Sequence, residues 1–262
     1  MPNSIITLTT DFGEGSRYVA AMKGTILSIN PAAHIVDLSH SIPPQDVRRG
    51  AIALAETAPT FPPESIHIAV VDPGVGSDRR LVYAHIGSQH FLAPDNGLLG
   101  RLAEAQSPSK IVVLEEPRFW LPTVSATFHG RDILAPVAAR LSLGLPPEQL
   151  GRPIARLVAL PWPEVQSVAN QITGEVVEVD SFGNLITNIT SEMLQGVPTD
   201  ESVTVACDEH TTQGIFRTYS DQPPMTLIAL VGSGGKLELA IVDDSAKIML
   251  GVGAGAPVVV TW

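Results

Sequence analysis

The sequence is poor in cysteine, in basic charge and in long apolar runs, and each shortage closes a class of function. Cys207 is the single cysteine among 262 residues, so neither an intrachain disulfide nor a thiolate metal cluster can form, and the count fits a reducing cytosol. Lysine and arginine number 16 against 27 aspartates and glutamates, a net charge of -11. That balance opposes a nucleic-acid backbone and leaves no basic stripe for a membrane surface. No apolar run approaches the ~18 residues of a membrane helix. The opening Met1-Pro2-Asn3-Ser4 has neither a basic nor a long apolar leader, so neither insertion nor export is expected. What is present is an apolar fraction of 44%, enough for the core of one large α/β domain or two unequal ones.

The most informative stretch is Ile68-Ala69-Val70-Val71-Asp72-Pro73-Gly74-Val75-Gly76, followed by Arg79. Four consecutive apolar residues read as a strand buried on both faces, and Pro-Gly ends it directly after a carboxylate. Asp72 is thus expected at a strand's carboxyl end, where open α/β sheets collect ligands, with Arg79 able to return and pair with it. Ser4 to Thr10, ending at Asp11-Phe12-Gly13, repeats that placement, and a helical pattern over Ser16 to Ile29 follows it. Further strands are expected at Ile35 to Leu38, Leu81 to Ile86, His90 to Leu92 and Ile111 to Leu114, with helices over Val47 to Thr57, Leu98 to Ala105 and Ile133 to Leu143. This alternation predicts an N-terminal α/β/α domain with a mostly parallel sheet. His129, just before the last helix, completes a possible acid, cation and imidazole set with Asp72 and Arg79, provided the three are adjacent in space.

From Leu145 to Val165 five prolines interrupt the pattern, and a boundary is expected at about residue 165, giving domains 1–165 and 166–262. Beyond it the texture is strands and turns: Gly174 to Val179, Leu185 to Ile189, Ser202 to Cys207, Thr226 to Val231, Leu237 to Ile241 and Val258 to Trp262. A smaller antiparallel β domain, barrel or sandwich, is expected. Gly232-Ser233-Gly234-Gly235-Lys236 lacks the spacing of a phosphate loop and precedes a strand, and Gly251-Val252-Gly253-Ala254-Gly255 precedes a terminal strand, so neither reads as a nucleotide fingerprint.

Five ordered motifs then carry a resemblance over nearly the whole chain. They are Thr9-Thr10-Asp11-Phe12-Gly13, Val71 to Gly76 with Arg79, Ala93-Pro94-Asp95-Asn96-Gly97-Leu98-Leu99, Phe128-His129-Gly130-Arg131-Asp132, and Asp180-Ser181-Phe182-Gly183-Asn184. Together they resemble the S-adenosyl-L-methionine (SAM) hydroxide adenosyltransferases, adenosine-forming SAM hydrolases related to SAM-dependent fluorinases and chlorinases. The resemblance implies hydrolysis of SAM to adenosine and methionine by in-line attack of water or hydroxide at ribose C5′. It also implies a water-positioning triad of Asp72, Arg79 and His129, and ribose binding by Asp11. Substrate contacts are expected from Asp95, Asn96, Phe128, Asp180, Phe182, Asn184 and Ser233. No metal and no cofactor is expected, SAM being the substrate, and the expected assembly is a cytoplasmic homotrimer with active sites between subunits. The halogenase branch typically carries Tyr-Ser where His129-Gly130 stands, and a long insertion where Gly87-Ser88 makes a short turn, so hydrolysis is favoured over a 5′-halogenase or a SAM-binding module without turnover. Gly232 stands where relatives often have Asn.

Overall fold

The computed structural model describes residues 5–262; Met1 to Ser4, which include the expected start of the first strand and the stretch read for a leader, lie outside the described residues. The chain divides into two compact units, one ending at Leu160 and one spanning Pro161–Trp262. In the first, β1 (Ile5–Thr10), α1 (Arg17–Ile29), β2 (His34–Ser39), α2 (Val47–Thr57), β3 (Ile66–Val70), β4 (Leu81–Ile86), β5 (Gln89–Pro94), α3 (Gly100–Ala105), β6 (Lys110–Val113) and α4 (Ala135–Leu141) follow in order. The strands form one sheet, β2-β1-β3-β5-β4-β6. Its direction follows from the connections. Gly87-Ser88 permits only a hairpin, so β4 runs antiparallel to β5, and also to β6; β2, β1, β3 and β5 are parallel, with α1 and α2 as crossovers within the β2-β1-β3 half.

Helix starts obey local chemistry. The Ser16 side chain accepts the Tyr18 N–H at the head of α1, and Asp46 accepts that of Arg49 in α2. On one sheet face Ile6, Leu8, Ile68, Val70 and Tyr83 pack on Val19, Met22 and Ile26 of α1 and on α4, the main core of this unit. The other face carries Thr7 and His67, hydrogen-bonded at 2.7 Å, with the His67 ring stacked on Phe91. At Gly50 of α2 a side chain would meet Leu98 and Val71, the latter at 3.0 Å, so glycine lets this helix lie close.

The order of strands fixes where function can sit. The chain leaves β1 for β2 on one side and returns as β3 on the other, so the carboxyl ends of β1 and β3 border the crevice at which open α/β sheets bind ligands. Because β4 is reversed, its start also reaches that edge: Leu81 pairs with Pro94 at the end of β5, bringing Arg79 and Arg80 alongside.

The second unit holds β7 (Gln166–Val168), β8 (Gln171–Val179), β9 (Leu185–Thr190), β10 (Thr204–Cys207), β11 (His210–Gln213), β12 (Leu227–Val231), β13 (Lys236–Ile241), α5 (Ala246–Leu250) and β14 (Pro257–Thr261). They form an antiparallel sheet, β11-β10-β14-β8-β9-β13-β12, with β7 on β8. It curls into a nearly closed barrel: the Thr212 hydroxyl donates to the Leu227 carbonyl at 2.8 Å, drawing the two end strands together. β8 pairs with β14 through Gln171 to Glu175 and with β9 from Val176 onward. Gly174 sits at that changeover, where a side chain would strike Asn188 and Ile189, as a barrel corner requires. Among the described residues, no helix is long and apolar enough to cross a membrane.

Candidate active site

At the crevice edge Arg79 Nε lies 2.8 and 2.7 Å from the two carboxylate oxygens of Asp72, and Nη2 approaches both that carboxylate and, at 3.0 Å, His129 Nδ1. The Asp72 and Arg79 side chains are 6% and 10% exposed, so solvent screens them little. A guanidinium can only donate, so Nδ1 of His129 is the acceptor and the ring proton resides on Nε2. The His129 pKa is held below that of an ordinary imidazole, first by burial and then by the Arg79 cation, against the opposing pull of Asp72 and Asp132. At neutral pH the ring is therefore uncharged.

The meeting of residues 57 positions apart has local causes. Gly76 has φ +81°, and a Cβ there would come within 2.5 Å of the Ala126 carbonyl, so only glycine lets the β3 loop lie against the Ala126–His129 segment. At Gly130 a Cβ would press on Met22 and Val70 at 3.3 and 3.4 Å. Asp132, fully buried, accepts the Ser125 N–H at 2.8 Å and the Arg131 Nε at 2.6 Å, which fixes the loop leading to His129. The helix expected from Ile133 begins earlier, in a wide turn over Gly130–Leu134 whose Ala135 N–H reaches back five residues to the Gly130 carbonyl. Such turns often occur at functional sites.

Asp72 and His129 line a cavity of 270 Å³ together with Asp11, Phe12, Thr127 and Phe128; Arg79 bridges the two without lining it. Asp11 Oδ2 accepts the Gln45 N–H at 2.8 Å. Phe128 is held by edge contacts with Phe12 and Tyr18 and by the Arg131 guanidinium over its ring. Asp95 and Asn96 do not line this cavity. Asp95 forms an ion pair with Arg80 and accepts the Val158 N–H, while Asn96 donates to the Val71 carbonyl and accepts from Leu98. Their polar groups are committed to the fold, bracing the ends of β3 and β5.

In the second unit Asp180, Phe182, Asn184 and Ser233 share a groove of 850 Å³ that also takes in Tyr219 and Glu238. Asp180 accepts the backbone N–H of Phe182 and Asn184 and the Asn184 side-chain amide, which shapes the turn. Phe182 at its tip is 78% exposed. Asp180, Glu238, Asp243 and Asp244 oppose Arg217, so the groove is acidic.

Residues 6–151 match the family model of the SAM hydroxide adenosyltransferase N-terminal domain, and residues 174–259 that of its C-terminal domain. The chain belongs to the SAM hydroxide adenosyltransferase family. An (R)-S-adenosyl-L-methionine hydrolase from Salinispora arenicola is 41% identical, the match covering 98% of this chain and 97% of that protein. A solved structure described as an uncharacterized conserved protein from Thermotoga maritima superposes with a TM-score of 0.93 at 34% identity, covering 98% and 100% of the two chains. A fluorinase from an Actinoplanes species is more distant, 28% identical over 71% of this chain and 72% of its own.

Within this hydroxide adenosyltransferase, folding gives His40, Asp132 and Glu238 parts that no local pattern announces. His40 lies with Nδ1 2.8 Å from the Thr10 hydroxyl and Nε2 3.0 Å from Asp37, tying the end of β2 to the loop that carries Asp11. Asp132 closes the Phe128-His129-Gly130-Arg131-Asp132 motif, but its part as the anchor of the His129 loop depends on a backbone contact seven residues back. Glu238 explains Gly232: a Cβ at 232 would fall 1.6 Å from its carboxylate, which the Tyr219 hydroxyl holds at 2.9 Å. A side chain at 232 therefore requires the Glu238 carboxylate to move.

Proposed function

We propose that the protein hydrolyses the (R)-sulfonium epimer of SAM to adenosine and L-methionine. The observation that carries this reading is the junction of Asp72, Arg79 and His129 at the β1/β3 crevice beside the Asp11 carboxylate. The name of the Salinispora arenicola relative supports the substrate. Water attacks C5′ in line with the departing sulfur: the C5′–O bond forms, the C5′–S bond breaks, and its electron pair stays on methionine as a neutral thioether. Because the sulfonium already carries the charge, the leaving group needs no acid and no metal.

The nucleophile is the difficulty, since free water has a pKa of ~15.7 and a carboxylate ~3.9. His129 has its Nδ1 lone pair engaged by Arg79, so it orients more than it abstracts. Asp72 and His129 hold the water from the cavity wall, and the Arg79 cation favours hydroxide-like character as attack proceeds. As the C5′–O bond forms the oxygen becomes strongly acidic, and its proton passes to the Asp72 carboxylate on the cavity wall and from there to solvent. Asp11 is placed to hold the ribose hydroxyls, which fixes C5′ relative to the water.

A cavity of 270 Å³ is below the ~300–1,000 Å³ typical of sites that enclose a small molecule. The acidic groove with the exposed Phe182 suits the rest of a cationic substrate: an aromatic face for the adenine, carboxylates for the ammonium and sulfonium. We infer that the two halves belong to one site closed by the first unit of one subunit and the second unit of its neighbour in a cytoplasmic homotrimer, with SAM as substrate and no cofactor. The test is incubation with each SAM epimer in water enriched in oxygen-18. Label in the 5′-hydroxyl of adenosine is expected, with turnover favouring the (R) epimer. Tight binding without product, or a 5′-halo-adenosine in the presence of halide, would overturn the reading.

A further inference from the structure

The sheet edge opposite the catalytic crevice carries a second constellation that the hydrolysis does not use. His85 on β4 and His90 on β5 are direct cross-strand partners flanking the Gly87-Ser88 turn, with ring centroids 5.1 Å apart. Glu64, in the loop that leads into β3, brings its carboxylate to 3.2 Å from His90 Nε2. One donor atom from each of the three residues lies within 4.8 Å of the others. Outside this ring stand two hydroxyls: Ser109 Oγ at 2.7 Å from His85 Nδ1, and Tyr83 OH at 2.7 Å from His90 Nδ1. We propose that Glu64, His85 and His90 form a binding site for a borderline divalent transition-metal ion, Zn²⁺ above all, which staples β3, β5 and β4 together at their far edge.

The donor set decides the class of ion. Two imidazoles and a carboxylate with an open position match zinc and its neighbours and disfavour magnesium and calcium, which take oxygen. Engagement of each Nδ1 by a hydroxyl leaves Nε2 as the ligand atom and fixes the ring's orientation, as outer-shell partners do in metal sites. Ser109 is suited to accept from His85, since its own hydroxyl can donate to the His85 carbonyl at 3.3 Å. Zinc ligands at about 2.0–2.1 Å sit roughly 3.4 Å from one another in a tetrahedron, so the donors must draw in by about an ångström. The exposed Glu64 side chain has the freedom to do so. Among the charged groups near the rings, Lys110 lies across from His85, and its ammonium is already paired with Glu148.

The test uses untagged, full-length protein stripped with a chelator, then titrated with Zn²⁺ by calorimetry and with Co²⁺ by visible absorption. Saturable binding of one ion per chain is expected, with a dissociation constant below about 10 μM, a raised melting temperature that chelator reverses, and unchanged adenosine release. His85→Asn, at a partly exposed position, and Glu64→Gln should each weaken binding at least tenfold while leaving turnover intact; His90→Asn should do the same. Ser109→Ala should weaken it about tenfold. Binding weaker than about 1 mM, or equally tight binding in His85→Asn and Glu64→Gln, would overturn the assignment.

Discussion

Replacing Arg79 by lysine keeps the charge and removes the geometry, so it isolates what the guanidinium contributes. In the native protein one planar group donates to both Asp72 oxygens through Nε and reaches His129 Nδ1 at 3.0 Å through Nη2. A lysine ammonium is a single point on a flexible stem; it can satisfy Asp72 or His129 but cannot hold both at those distances. The pair is largely desolvated, so misplacement is not made good by water. Loss of one oriented donor from a preorganised site lowers kcat by about 10²–10³-fold, or ~2.7–4 kcal/mol. KM should move less than about threefold, because Asp11 and the acidic groove, which would grip the substrate, are untouched. The assay is adenosine release at saturating (R)-SAM, with a melting curve to show that the variant is folded. A kcat within threefold of wild type, or a loss carried wholly by KM, would refute the claim that Arg79 holds the other two groups in register.

Gly76→Ala meets both a left-handed φ of +81° and the Ala126 carbonyl at 2.5 Å, so it should destabilise the protein by at least ~1–2 kcal/mol and reduce turnover by displacing the His129 loop; wild-type activity and melting temperature would argue against that contact. Phe182→Ala removes a ring that is 78% exposed, so melting should be unchanged while KM rises about tenfold, and an unchanged KM would count against the composite site. His67, buried and pushed down to about 4 from 6.5, favours its neutral form when folded. Its stabilising contribution is therefore complete above pH 6.5 and is lost as pH falls through about 4, at most ~3 kcal/mol. Urea midpoints at pH 7 and pH 4.5 should fall further for wild type than for His67→Gln; equal falls would contradict this.

The parts of the fold that sequence made legible are those with short-range signals. The alternation of buried strands and amphipathic helices marked β1 to α3, and Gly87-Ser88 marked the hairpin that reverses β4. Short elements escaped: β7 and β11 have three and four residues and are largely polar, and α5 is five residues long, too brief for a periodic pattern. The separation runs the same way through the site. Asp72 and Asp11 were legible because a carboxylate ending a buried strand is a local pattern, whereas His40, Asp132 and Glu238 act through partners brought to them by folding. Asp95 and Asn96 are conspicuous in sequence, but their partners, the Arg80 guanidinium, the Val158 N–H and the Val71 carbonyl, are also supplied by folding.

Strand order explains why this chemistry belongs to this edge. Were β4 parallel to β5, its start would lie at the opposite edge, and Arg79 would have to span the length of the sheet to meet Asp72. A six-residue strand rises ~3.3 Å per residue, close to 20 Å, well beyond the reach of an arginine side chain. The two-residue hairpin is thus what places a cation among the carboxylates. Lengthening that turn should be tolerated only where the strand pairing from Leu81 to Pro94 is kept, because that register sets Arg79 against Asp72. A variant with a flexible insertion between Gly87 and Ser88 should therefore retain adenosine release, while one that shifts β4 by two residues, which keeps each side chain on its own face, should lose it with the sheet still formed. Equal activity in the two would mean that the loop after Asp72, rather than the hairpin register, positions the guanidinium.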